Sequence, residues 1–291
     1  MASATVSYME AVEKQMIRPI QGPDLEMGFY CHNRTETAAL DDLVNTLLDL
    51  GAAPAGRAYA CDRDVYNTRP FGGYLDLPLS SLNVTDSADL RRLLHAEPQQ
   101  LLSVDILGAS DCVYYEAEHV HLARISDYAS RQDKHPVMID ASGDKINLFF
   151  DPYATRSDRA RAEKLGKKVF YRFADIVARV LPAYAAITIE EDICCPVDLE
   201  INPNPVLFKD FYVSESFVGT SALETIDSIF GGASSVPMGD GRYFSSTGFF
   251  SPGRCTSRDP DQSNYAKSEA VSRIIAYAGA NWRRCTYQSS E

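Results

Sequence analysis

The stretch Asp210–Gly232, DFYVSESFVGTSALETIDSIFGG, reads as an aromatic strand that breaks at a polar turn and continues as a helix closed by glycine. It has a counterpart at Gly28–Gly51, GFYCHNRTETAALDDLVNTLLDLG. With one single-residue gap, Phe29, Tyr30, Thr37, Ala39 and Leu40 fall on Phe211, Tyr212, Thr220, Ala222 and Leu223. In the first unit Thr35 or Thr37 is the expected helix cap, Leu40, Leu43, Val44, Leu47 and Leu48 form the buried face, and Gly51 supplies the left-handed stop. In the second unit Ser221, with Glu224 three residues on, predicts a capping box. Leu223, Ile226, Ile229 and Phe230 are its buried face and Gly231 its stop. Two such units imply either an internal duplication, with halves at 20–151 and 152–291, or two separate uses of one strand-to-helix junction.

Outward from these units the chain alternates less regularly. RAYACD, GYLDLPL and QLLSVDIL read as strands, with TDSADLRRLLHAEP between them as a helix capped at Thr85 or Asp86. CVYYEAEHVHLARI, HPVMID and KINLFFDP follow as three β-rich runs in a meander, and the periodicity then predicts a long helix from Ser157 to Leu181 ended by Pro182. YAAITIEED is a buried strand, SVPMGDGRYFSSTGFF a hairpin turning at Asp240-Gly241, and NYAKSEAVSRIIAYAGANWRR a closing helix docked through Ala266, Ala270, Val271, Ile274 and Ile275. An amphipathic segment, Tyr8–Ile17, opens the chain. Grouped strands with interspersed helices define an α+β protein with mixed or antiparallel sheets, read as one domain over 1–291 because no low-complexity linker divides it.

The chain holds 291 residues, 45% of them hydrophobic, with a formal net charge of -12. That field repels nucleic-acid phosphates and anionic membrane surfaces, so neither is an expected partner, and a basic protein is the partner it favours. Seven scattered cysteines without a C-x-x-C pair, no export signal and no long apolar run give the expectation of a soluble cytoplasmic protein.

The motifs of dinucleotide binding, P-loop phosphoryl transfer, H-E-x-x-H hydrolysis and G-x-S-x-G hydrolysis are all missing, and no cofactor is expected. Candidate chemistry rests instead on three polar clusters. In EAEHVHLAR, strand alternation places His119 and His121 on the face of Tyr115, with the histidines as a base or as ligands to a metal that Asp127 or His135 would complete. Two histidines alone do not fix a metal, and none is assigned.

In TIEEDICCPVDLE, Glu190, Glu191 and Asp192 end a buried strand, where crowded carboxylates raise one another's proton affinity and suit a general acid or base. Cys194 and Cys195 beside them read as packing rather than as a nucleophile. In YCHNRTE, His32 and Arg34 stand at a strand-to-helix turn as substrate contacts, mirrored by Ser214 and Glu215 in the second unit. The basic run over Thr155–Arg172 reads as the outer face of the long helix.

These residues give the expectation of a non-redox enzyme that acts on a small polar molecule by general acid–base catalysis. The alternative is an acidic binding module that neutralises a basic protein, as immunity proteins do.

Overall fold

The computed structural model of the chain describes residues 4–7, 23–31, 36–51, 53–62, 78–84, 86, 88–89, 100–107, 120–124, 137–189, 193, 196, 209–230, 235–252 and 263–288. In chain order the elements are β1 Ala4–Ser7, β2 Asp24–Tyr30, α1 Glu36–Asp49, β3 Ala53–Asp62, β4 Pro78–Val84, β5 Gln100–Leu107, β6 Val120–Arg124 and β7 Val137–Ser142. They continue with α2 Asp144–Asn147, α3 Arg156–Val180, β8 Tyr184–Ile189, β9 Asp210–Ser214, α4 Glu215–Val218, α5 Thr220–Phe230, β10 Ser235–Met238, β11 Gly241–Ser245 and α6 Ser263–Gln288.

The described strands form one eleven-stranded sheet in the order β1-β4-β3-β5-β6-β7-β2-β8-β9-β11-β10. Each of its pairings is antiparallel. The fold is therefore α+β, with helices packed on the five strands β2, β8, β9, β11 and β10. β6 and β7, from the first two runs of the expected meander, pair as neighbours, but its third run, KINLFFDP, is a helical turn. The Gly143 carbonyl accepts the amides of Ile146 and Asn147, and Phe149 is drawn into rings from Phe150 and Phe249, so the apolar run serves a turn's inner side.

Alternation along the strands splits the core into two layers. Leu25, Met27 and Phe29 of β2, with Ala185, Ile187, Tyr212 and Tyr243, pack with α1 and α3. Tyr30, Tyr184, Ala186, Phe211, Val213 and Phe244 pack with α5 and α6 on the opposite face. The two strand-to-helix units therefore sit in one sheet with their helices on opposite sides. β2 and β9 both run antiparallel to β8, which lies between them. Phe29 faces the helix that follows it and so does Phe211, as any strand leading into its own covering helix requires. Duplication is not shown by this arrangement.

The helix ends follow their sequence with two corrections. α1 starts at Glu36, so Thr37 lies inside it, and Gly51 ends it at φ 90° with its amide on the Leu48 carbonyl. Thr155 caps α3 through a full capping box with Asp158, and Leu181 closes it in the left-handed region at φ 51°. In the second unit Ser221 is not a cap. Ser214 caps α4 by accepting the Phe217 amide, Gly219 at φ 85° breaks the helix, and α5 begins at Thr220. The hairpin turns at Gly239-Asp240, one residue earlier than expected, because Gly241 is already paired with Met238. A Cβ on Gly241 would stand 2.0 Å from the Val213 carbonyl oxygen, so this glycine is required by the close approach of β9. In α6, Val271 and Ile275 are buried as expected, but Ala266 is exposed and Ser268 and Ser272 are buried instead. The Tyr8–Ile17 segment lies outside the described residues.

Candidate functional site

Of the histidines singled out in the sequence, His121 lies in β6, and its register is informative. It pairs with Asp105 of β5 on one side and Asp140 of β7 on the other. Asp140 pairs in turn with Glu26 of β2, and Glu26 with Thr188 of β8. Directly opposed positions of antiparallel strands share a face, so Asp105, His121, Asp140, Glu26 and Thr188 form one line across the sheet. At the usual strand spacing the line runs about 15 Å from Asp105 to Glu26. It lies on the face of Tyr30 and Ala186, the side on which α5 and α6 pack.

Glu26 is half-buried, and so is Thr188, whose hydroxyl oxygen is buried without a hydrogen-bond partner. One signal for this line was legible. VMIDAS and QLLSVDIL each place a lone carboxylate inside an apolar strand, and DLEMGFY places Glu26 inside one two positions after Asp24.

The chain leaving β8 returns over this face. Ile189 pairs with Leu25, whereas Ile193 stands above Gly28, whose missing side chain makes room for it. A Cβ there would meet Ile193 Cδ1 at 3.0 Å. The Tyr30 hydroxyl donates to the Ile193 carbonyl at 3.2 Å. Three residues on, Pro196 is buried against Gly279 of α6, where a Cβ would meet its carbonyl at 2.7 Å. Glu190, Glu191 and Asp192 themselves lie outside the described residues, but both ends of their segment are fixed beside Glu26.

The third cluster is placed otherwise. β2 and β8 run antiparallel with Tyr30 opposite Tyr184 and Leu25 opposite Ile189. The chain therefore leaves β2 at the end of the pair opposite to the one where it leaves β8, about 17 Å away along the strand. His32 and Arg34 lie outside the described residues beyond that far end, and His119 and Tyr115 are likewise outside them.

Ser214 and Glu215 hold the chain rather than present groups to a ligand. Ser214 caps α4, and Glu215 accepts the Thr220 hydroxyl at 2.7 Å. Beside them Asp240 accepts the Tyr212 hydroxyl at 2.6 Å and the Ser216 hydroxyl at 2.9 Å. Burial first, and then Asp240, push the Tyr212 hydroxyl well above the usual phenol range. Asp210, by contrast, is a buried carboxylate and accepts hydroxyls from Tyr243 at 2.8 Å and Ser245 at 2.6 Å.

Three of the seven basic residues in the run on α3 are committed: Arg159 donates to the carbonyls of Asp151 and Pro152, Lys167 pairs with Glu163 and Arg172 with Asp175, while Arg179 beyond the run pairs with Asp49 of α1.

The architecture is that of an antiparallel α+β sheet with helices on both faces. Among the described residues no helix is long and apolar enough to cross a membrane. No family model matches the chain, and no curated protein matches it. Among solved structures it is similar to the Pseudomonas aeruginosa T6SS protein PA0821, at 12% identity and a TM-score of 0.44, over 88% of this chain and 73% of that one.

Proposed function

We propose that the chain is a non-redox enzyme acting on a small polar molecule by general acid–base chemistry, with its working groups on the sheet face crossed by the Asp105–His121–Asp140–Glu26 line. The observation that carries this reading is the register. It brings a histidine and three carboxylates from four strands, β5, β6, β7 and β2, into one row. Ile189, paired with Leu25, and Ile193, against Gly28, stand at the two ends of the sequence segment that holds Glu190, Glu191 and Asp192.

A histidine between two aspartates, with further carboxylates in reach, is a set from which one group takes a proton and another returns it. Hydrolysis, group transfer and ring closure all need that pair. Catalysis draws on His121 together with the proposed acid and base candidates Glu190, Glu191, Asp192 and His119. His32, Arg34 and Tyr115 remain proposed substrate contacts, His32 and Arg34 from beyond the far end of β2. The proposed location is cytoplasmic, in keeping with seven scattered cysteines that include no C-x-x-C pair.

The test is a turnover screen against mixtures of small esters, amides, phosphates and glycosides, followed by mass spectrometry. Turnover by the wild-type chain is expected to fall by roughly 10²–10⁴-fold in His121→Gln, Asp140→Asn and Glu190→Gln. Turnover unchanged in all three variants would refute the reading. A chain without turnover that forms a salt-sensitive complex with a basic protein would replace it by the acidic binding module.

A further inference from the structure

We infer that the outer face of α3 is a docking surface for a short acidic segment of a partner protein, with Arg161, Lys164 and Lys168 as its cations and Tyr171 as its apolar contact. Residues 155–172 hold seven of the chain's 28 basic residues and two of its 40 acidic ones, which leaves 21 against 38 elsewhere. The strip is thus cationic on an anionic molecule. Leu165, Val169, Phe173 and Ile176 of α3 are buried in the core. Helical spacing sets Arg161, Lys164, Lys168 and Tyr171 on the opposite side, where all four are exposed.

The acids alongside are already engaged, Asp158 by Thr155, Glu163 by Lys167 and Asp175 by Arg172. Among the described residues Lys164 and Lys168 have no ion-pair partner, and Arg161 bears on Asp158 through its charge without an ion pair. The three cations follow one another at spacings of three and four, at which like charges on a helix repel. The helix gains no stability from that row, and carboxylates laid along it turn the repulsion into attraction.

The size of the strip selects the partner. From Arg161 to Tyr171 it runs about 15 Å along the helix, a length that about five extended residues cover. A membrane surface or a nucleic acid reaches well beyond it and meets the field of the 38 other acidic residues, whereas a short run of Asp and Glu does not. The ring of Tyr171, 57% exposed, adds apolar contact beside the charges, and Tyr and Arg are the residue types on which protein interfaces depend most. α3 packs on the face of the sheet opposite to the Asp105–Glu26 line, so the inference does not rest on the proposed catalysis.

The test follows the fluorescence anisotropy of a fluorescein-labelled Glu-rich peptide of about eight residues, long enough to overhang the strip, as full-length protein is added. Binding is expected at low salt and should fall steeply toward physiological salt. The triple variant Arg161→Glu, Lys164→Glu, Lys168→Glu should weaken it roughly tenfold or more, and Tyr171→Ser should weaken it to a smaller extent. Arg273→Glu, the same reversal at an exposed position of α6, should leave it nearly unchanged.

Should the triple variant fail to fold, acetylation of the wild-type chain, read by mass spectrometry, still reports the surface. Bound peptide should protect Lys164 and Lys168 and leave Lys267 of α6 reactive. No binding at low salt, binding undiminished in a folded triple variant, or equal protection of Lys267 would overturn the inference. Phosphatidylserine vesicles or a poly-dT oligonucleotide that bind the strip more tightly than the peptide would also overturn it, in favour of a membrane or a nucleic acid. Self-association of the chain that the triple variant abolishes would overturn it in favour of a second copy.

Discussion

A side chain on Gly28 would crowd Ile193, whose Cδ1 and Cγ2 stand 3.0 and 3.3 Å from where its Cβ would be. Gly28→Val should therefore cost about 1–3 kcal/mol by overpacking and, by lifting Ile193, lower turnover if the neighbouring Glu190–Asp192 take part in it. Chemical denaturation measures the first effect, and the turnover screen the second. Tyr243 is fully buried and shares Asp210 with Ser245.

Removing its hydroxyl in Tyr243→Phe leaves the buried carboxylate one donor short, an expected loss of about 1–3 kcal/mol. Burial, reinforced by the charge of Asp210, raises the Tyr243 hydroxyl well above the phenol range, and Tyr212 is raised in the same sense. The folded state keeps these protons when the unfolded chain loses them. Their stabilising effect is thus complete below about pH 10, the ordinary phenol value, and is lost as the pH climbs beyond it. Denaturation midpoints measured from pH 8 to pH 11.5 should fall at the alkaline end, and less steeply in Tyr243→Phe.

Helix α3 is the element on which the α1 side of the core is built, and it also shows most clearly what sequence does and does not reveal. Its 25 residues repeat their apolar positions with helical period, and Leu165, Val169, Phe173, Ile176, Val177 and Val180 are buried as that period predicts. Thr155→Ala breaks the capping box and should cost about 1 kcal/mol. Leu181→Gly relieves a half-exposed leucine held at φ 51° and should stabilise the protein by about 0.5–1 kcal/mol, read as a rise in melting temperature.

Shorter elements were less legible. KINLFF has the length and composition of a buried strand, but it forms a turn whose rings, Phe149 and Phe150, meet the distant Phe249. Ser221 and Glu224 carried the spacing of a capping box, but Gly219 set the break earlier and Ser214 took the role. The hairpin offered glycines on both sides of Asp240, and the close contact between Gly241 and β9 decided which of them turned.

At the scale of the molecule, the α+β class followed from grouped strands and well-marked helices, all properties of neighbouring residues. The row through His121 did not. Glu26, Asp105 and Asp140 are far apart in the chain, and each reads singly as one polar residue on an apolar strand. Their meeting depends on pairing register, which no local pattern fixes. His121 was found because His119 stands two positions before it, whereas an acidic residue inside an apolar strand, the signal its partners carry, does not say which strands lie side by side.

β8 is inserted between β2 and β9 and reaches them only after α3 has been made. A growing polypeptide that has left the ribosome through α3 therefore carries β2 with the amides and carbonyls of its β8 side unmet, a template for illicit pairing with another nascent chain. A fragment stopped at Pro182 should precipitate where the whole protein stays dispersed, as light scattering would record. Chaperone demand during synthesis ought to concentrate in that interval.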